Sequence, residues 1–149
     1  MSKNSYNKII DNLYIGSAAA LRDREHFSFI VNCTKDIPLP KNHKNVLRIP
    51  VDDDVVESDV FITLINYTNV LERIHYHLFH KKPVLVHCYA GSQRSCALVA
   101  CYLIKYCHMN VDEAVLFIKS KRSCAFDDEV RFISILENIY NKIVKNKIV

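Results

Sequence analysis

The chain has 149 residues, half of them hydrophobic and 24% charged, with a formal net charge of +4. That is enough for one domain over residues 1–149 with a substantial core, and too little for two. No apolar run reaches the roughly 18 residues of a membrane span, the opening MSKNSYNK lacks the apolar core of a secretory signal, and the charge is too modest to argue for nucleic acid by itself. The expectation is a soluble, cytoplasmic protein with no membrane partner.

Six cysteines stand singly in apolar runs and not in a small loop-rich scaffold, so reduced thiols are expected. No CxxC pair offers a frame for structural zinc. The two glycines, Gly16 and Gly91, each call for a structural reason.

In chain order, short runs rich in Val, Ile and Tyr predict strands at Lys8–Ile10, Leu13–Ile15, Phe29–Asn32, Val46–Val51 and Pro83–His87. Ser17 can cap a helix over Ala18–Arg24. Ser58 or Asp59 can cap a long one reaching Phe79, with Phe61, Leu64, Ile65, Leu71, Ile74 and Leu78 along one stripe. Ser92–Cys107 is apolar nearly all round, which predicts a helix buried on most sides. Asn110 caps Val111–Ser120, where Asp112 and Glu113 suit the positive end of the helix dipole, and a last helix is predicted over Asp128–Val144. Strands alternating with helices give an α/β fold, a mainly parallel central sheet flanked by helices, with its site beyond the carboxyl ends of the strands.

One segment carries chemistry. Val84-Leu85-Val86-His87-Cys88-Tyr89-Ala90-Gly91-Ser92-Gln93-Arg94-Ser95 passes from a buried strand through a short loop into the buried helix. Successive backbone N–H groups of such a loop can form an anion nest, and the helix directs its positive end into the same cavity. Tyr89, Ala90, Gly91, Ser92 and Gln93 are thus phosphate-binding candidates between Cys88 and Arg94. A thiol in this setting is favoured as the nucleophilic thiolate. The planar fork of Arg94 matches two phosphate oxygens. Gly91 supplies a backbone conformation, or a close approach, that a side chain would prevent. Ser95 can donate its hydroxyl to the Cys88 sulfur, and His87 is expected to order the loop.

The run HCYAGSQRS fits HCxxGxxR[S/T], and on it the chain resembles the cysteine-based protein tyrosine phosphatases. Asn12-Leu13-Tyr14-Ile15-Gly16, Ile30-Val31-Asn32-Cys33-Thr34, Ala100-Cys101-Tyr102-Leu103-Ile104 and Asp112-Glu113-Ala114 are similar to elements of the dual-specificity subfamily. Ala125-Phe126 followed by Phe132 resembles compact poxviral members, although the family's Pro-Asn before the final helix is absent. A viral source would place the protein in host cytoplasm or virion. The resemblance implies attack of Cys88 on a phosphomonoester of phosphorylated protein substrates (phosphotyrosine, phosphoserine or phosphothreonine), a phosphocysteine intermediate, and no cofactor or metal. An RNA 5′-phosphatase and a non-catalytic phosphoprotein-binding module are the alternatives; oligomeric state is left open.

Departure of an alkoxide or phenolate calls for a carboxylic acid. The family pattern I-P-V-x-D places it on Asp53 within Ile49-Pro50-Val51-Asp52-Asp53-Asp54, whereas alignment on Asp59 favours Asp54. A solvated acidic turn is the plain alternative. His75, His77 and His80 do not share one helix face and are expected as a polar surface. Cys96, Cys101 and Cys107 are expected in the core, Cys33 in the core or, under oxidation, in a disulfide with Cys88, and Lys142, Lys145 and Lys147 in a solubilising tail.

Overall fold

In the computed structural model, which describes residues 4–148, the β-branched runs form one sheet of five strands: β1 (Tyr6–Ile10), β2 (Leu13–Gly16), β3 (Phe29–Asn32), β4 (Val46–Arg48) and β5 (Val84–His87), in the order β1-β2-β5-β3-β4. β5 lies parallel to both β2 and β3, β4 is parallel to β3, and β1 turns back antiparallel along the edge. All four residues of β5 are buried, as expected of a central parallel strand covered on both faces.

Period-two alternation divides the core. Leu13, Ile15, Phe29, Val31, Val84 and Val86 face the larger cluster, which holds the buried side chains of all five α-helices, whereas Ile30 and Leu85 face a smaller cluster with Ala20 and Phe27. The helices are α1 (Ser58–Thr68), α2 (Val70–Phe79), α3 (Arg94–Tyr106), α4 (Val111–Lys121) and α5 (Ile133–Ile148). No described helix is long and apolar enough to cross a membrane. α3 runs through the middle, buried from Ser95 to Ile104. Asn110 and Glu113 form a reciprocal capping box at the start of α4, with bonds of 2.8 and 2.9 Å.

Several expected boundaries move: the first strand begins at Tyr6, not Lys8, and the fourth ends at Arg48, not Val51. Residues 18–26 form a 3₁₀ segment rather than an α-helix, with Ser17 Oγ accepting from Ala19 N. The helix expected from Ser58 to Phe79 is two, because Asn69 adopts φ 55° and interrupts it. The central helix begins at Arg94, not Ser92. The last begins at Ile133, not Asp128, because the preceding residues are engaged with the loop before α3.

Candidate active site

Strand register sets the position of the site. Gly16 pairs with His87, His87 with Asn32 and Asn32 with Arg48, so the carboxyl ends of four strands finish in one row. The loop 88–93 leaves from the middle of that row and enters α3 at Arg94.

The loop is held by its carbonyls. Tyr89 O accepts from Ala18 N at 2.9 Å, Ser92 O from Phe126 N at 2.8 Å and Gln93 O from Ala97 N at 2.8 Å. Ala90 O accepts from Arg122 Nη2 at 3.2 Å and Gly91 O from Arg122 Nε at 2.8 Å. Every carbonyl from 89 to 93 is therefore tied to the surrounding protein, while among the described residues none of the corresponding N–H groups donates to a backbone carbonyl. A loop with its oxygens satisfied outside and its N–H groups unused has the polarity an anion requires.

Gly91 sits at φ +70°, and a Cβ there would lie 2.6 Å from both Gly16 O and Arg122 Nη2. Left-handed backbone and close approach are both required at this residue. The approach is made by the protein's own backbone: the two glycines of the chain meet each other. Arg122, only 3% exposed, completes the support by donating through Nη1 to Asn7 Oδ1 at 2.7 Å and Asn4 O at 3.1 Å.

Cys88 opens the loop, buried, with its Sγ 3.2 Å from Ser95 Oγ at the start of α3. Arg94 Nη1 donates to Val51 O at 2.9 Å, and its buried Nε–H has no protein partner, which leaves a donor free for an anionic oxygen. His87 is fully buried, and its Nδ1 lies 3.2 Å from Cys88 O; a carbonyl only accepts, so Nδ1 carries the proton. Burial, reinforced by the Arg48 and Arg94 charges and opposed by the bond to Cys88 O, pushes the imidazole below its ordinary value. Burial likewise drives the Cys33 and Cys96 thiols well above theirs, with the charge of Cys88 adding to it. Thiols so raised are poor nucleophiles.

The three consecutive aspartates part company. Asp52 pairs with Lys35 at 3.0 Å, and Lys35 also holds Glu57 at 3.0 Å. Asp54 caps the short 3₁₀ turn Val55–Glu57, accepting from Val56 N at 3.0 Å. Asp53 is 39% exposed and takes Arg131 Nη1 on its Oδ2 at 2.7 Å. Arg94 meets the same acidic segment two residues earlier, at Val51.

The loop is also stitched to the segment between α4 and α5. Ser92 Oγ donates to Cys124 O at 2.6 Å. The carboxamide of Gln93 works at both ends, donating to Glu129 O at 2.7 Å and accepting from Arg131 N at 3.1 Å. Arg122 and Arg131 are thus site residues that sequence reasoning missed. Their partners lie far away along the chain, and no local pattern distinguishes them from surface cations.

The remaining candidates are dispersed. His75 bonds Tyr102 Oη at 2.9 Å, His77 Nδ1 donates to Arg73 O at 2.9 Å and His80 Nδ1 to Tyr76 O at 2.8 Å. Cys96 and Cys101 are buried in α3 and Cys107 is half-buried at its end; all six cysteines are free thiols.

Comparison with known proteins agrees with this geometry. Residues 13–142 match the model of the family described as "Dual specificity phosphatase, catalytic domain". The chain is 29% identical over 149 residues to human dual specificity protein phosphatase 16, covering 94% of this chain and 21% of that protein. It is 30% identical over 122 residues to the putative tyrosine phosphatase 123R of Invertebrate iridescent virus 6, covering 80% of this chain and 81% of the viral one. Against the first of these it spans about a fifth of the relative's length. Among solved structures, a mouse putative dual specificity phosphatase complexed with zinc tungstate superposes with a TM-score of 0.82 at 25% identity, covering 97% of this chain and 91% of that one. On the match over residues 13–142, the chain belongs to the dual specificity phosphatase catalytic-domain family.

Proposed function

We propose that the chain is a dual-specificity protein phosphatase that hydrolyses phosphotyrosine and phosphoserine or phosphothreonine through a phosphocysteine on Cys88. The observation that carries this reading is the Cys88 sulfur, 3.2 Å from Ser95 Oγ, at the opening of a loop whose carbonyls are all drawn outward. Family membership adds to it. The Cys88 thiolate attacks phosphorus; the S–P bond forms as the P–O bond to the leaving group breaks. Arg94 and the N–H groups of residues 89–93 stabilise the equatorial oxygens, and Asp53 gives its proton to the departing oxygen. Water then attacks the phosphocysteine and passes a proton to the Asp53 carboxylate. Inorganic phosphate leaves, and the thiolate returns to the hydroxyl of Ser95. Asp53 is preferred to Asp54 on the I-P-V-x-D pattern of the family, while Asp54 Oδ1 caps the next turn. The free thiols fit a reducing, cytoplasmic setting.

The test is phosphate release from an aryl phosphate and from phosphotyrosine and phosphoserine peptides. Release blocked by vanadate, indifferent to chelators and abolished in Cys88→Ser is expected; an inactive wild type would sink the proposal. A 5′-triphosphorylated RNA processed faster than the peptides would move the substrate class to nucleic acid.

A further inference from the structure

The geometry points to Arg131 as the residue that positions the general acid, a role that rests on Asp53 being that acid. The neighbourhood of Arg131 is fixed from both sides. Its backbone N–H is held by the carboxamide of Gln93, a loop residue only 4% exposed, at 3.1 Å. The next residue, Phe132, is fully buried and packs edge-on to Phe61, with ring centroids 5.2 Å apart. From this anchored backbone the guanidinium crosses to Asp53 Oδ2 at 2.7 Å, while its Nε lies 3.4 Å from Glu129 Oε2.

Asp53 needs such a partner. It is 39% exposed on an irregular segment, and Arg131 is the ion-pair partner it has among the described residues. A free carboxyl there would sample several rotamers, whereas proton transfer needs its oxygen within about 2.6–3.2 Å of the leaving oxygen. Arg94 pins the same segment at Val51 O but is proposed to turn its remaining donors to phosphate. The route Gln93 to Arg131 to Asp53 therefore ties the acid to the loop that holds the nucleophile.

A positioning role predicts a dependence on the leaving group that a purely structural role would not produce. A difluorinated umbelliferyl phosphate releases a stable anion and hardly needs an acid; phenyl phosphate does. Turnover of both substrates would be compared in wild type, Asp53→Asn, Arg131→Met, Arg131→Lys and the double variant Asp53→Asn/Arg131→Met, with melting temperatures checked in parallel. Arg131→Met is expected to lower kcat on phenyl phosphate roughly 10-fold or more, within the roughly 10²–10⁴-fold range of general acid catalysis, and to change the fluorinated substrate less than about 3-fold. Arg131→Lys should recover part of the loss, and Arg131→Met should add nothing once Asp53 is Asn. Equal losses on the two substrates, or none, in a folded Arg131→Met alongside a leaving-group-dependent Asp53→Asn would overturn the role of Arg131 and leave the acid standing. An Asp53→Asn variant without that dependence would remove the acid assignment itself, and the inference with it.

Discussion

The two halves of the site are built differently. The half that holds the proposed nucleophile is backbone work: every carbonyl of residues 89–93 is bonded to the protein around it, by Ala18, Arg122, Phe126 and Ala97. The half that holds the proposed acid is side-chain work, in which two arginines hold the segment 51–53 at Val51 O and Asp53 Oδ2. Buried, multiply bonded backbone is over-determined and sensitive to any loss of support, whereas exposed ion pairs contribute little to stability and act chiefly on orientation. Mutations in the first half should therefore read out as unfolding, and those in the second as lost rate.

The largest break in that contrast is Arg122→Met. It strips the bonds to Ala90 O, Gly91 O, Asn4 O and Asn7 Oδ1 and is expected to cost about 3 kcal/mol or more in urea unfolding, at roughly 1.5–3 kcal/mol per bond to a charged group. Gly91→Ala comes next. It forces a Cβ to 2.6 Å from Gly16 O at φ +70°, for an expected loss of about 2–4 kcal/mol. A weakly perturbed melting curve for either variant would show that the loop is less constrained than its bonds imply.

A smaller effect is expected of pH at His87. Unfolding lets this imidazole take a proton at its ordinary pKa of about 6.5, which burial in the folded state resists. Stability should therefore fall as pH is lowered below about 6.5, and the fall should be shallower in His87→Asn; melting temperatures of both proteins between pH 7.5 and 5 decide it. The smallest effect is Arg131→Met on stability, expected below about 1 kcal/mol because both side chains of the pair keep access to solvent. A loss as large as that of Arg122→Met would erase the distinction between the two halves.

The sheet and the strand–loop–helix passage around Cys88 were legible in the sequence because their signals are local. The five strand cores, the buried helix after Cys88 and the capping box at Asn110 each follow from residues within a few positions of one another. The 3₁₀ segment after Ser17 and the break at Asn69 were not, since a left-handed residue among helix formers leaves no periodic trace. Arg122 and Arg131 were hidden for a different reason. Arg122 reaches Asn4 across 118 positions, and Arg131 answers an aspartate that α1, α2, β5, α3 and α4 separate from it; only the fold makes either pairing readable. Within Asp52-Asp53-Asp54, one composition serves three tasks, and the partners Lys35, Arg131 and Val56 N tell them apart.

The clamp on the loop also bears on the order of assembly. Arg122 joins Asn4 and Asn7 at one end of the described chain to Gly91 in its middle, so it can close only after three remote stretches have met, and such non-local closures come late because chain entropy opposes them. A chain that has paired β2 with β5 but not yet docked residue 122 already holds Cys88 without the support of the loop's cradle. Recovery of turnover during refolding should accordingly trail recovery of helical signal.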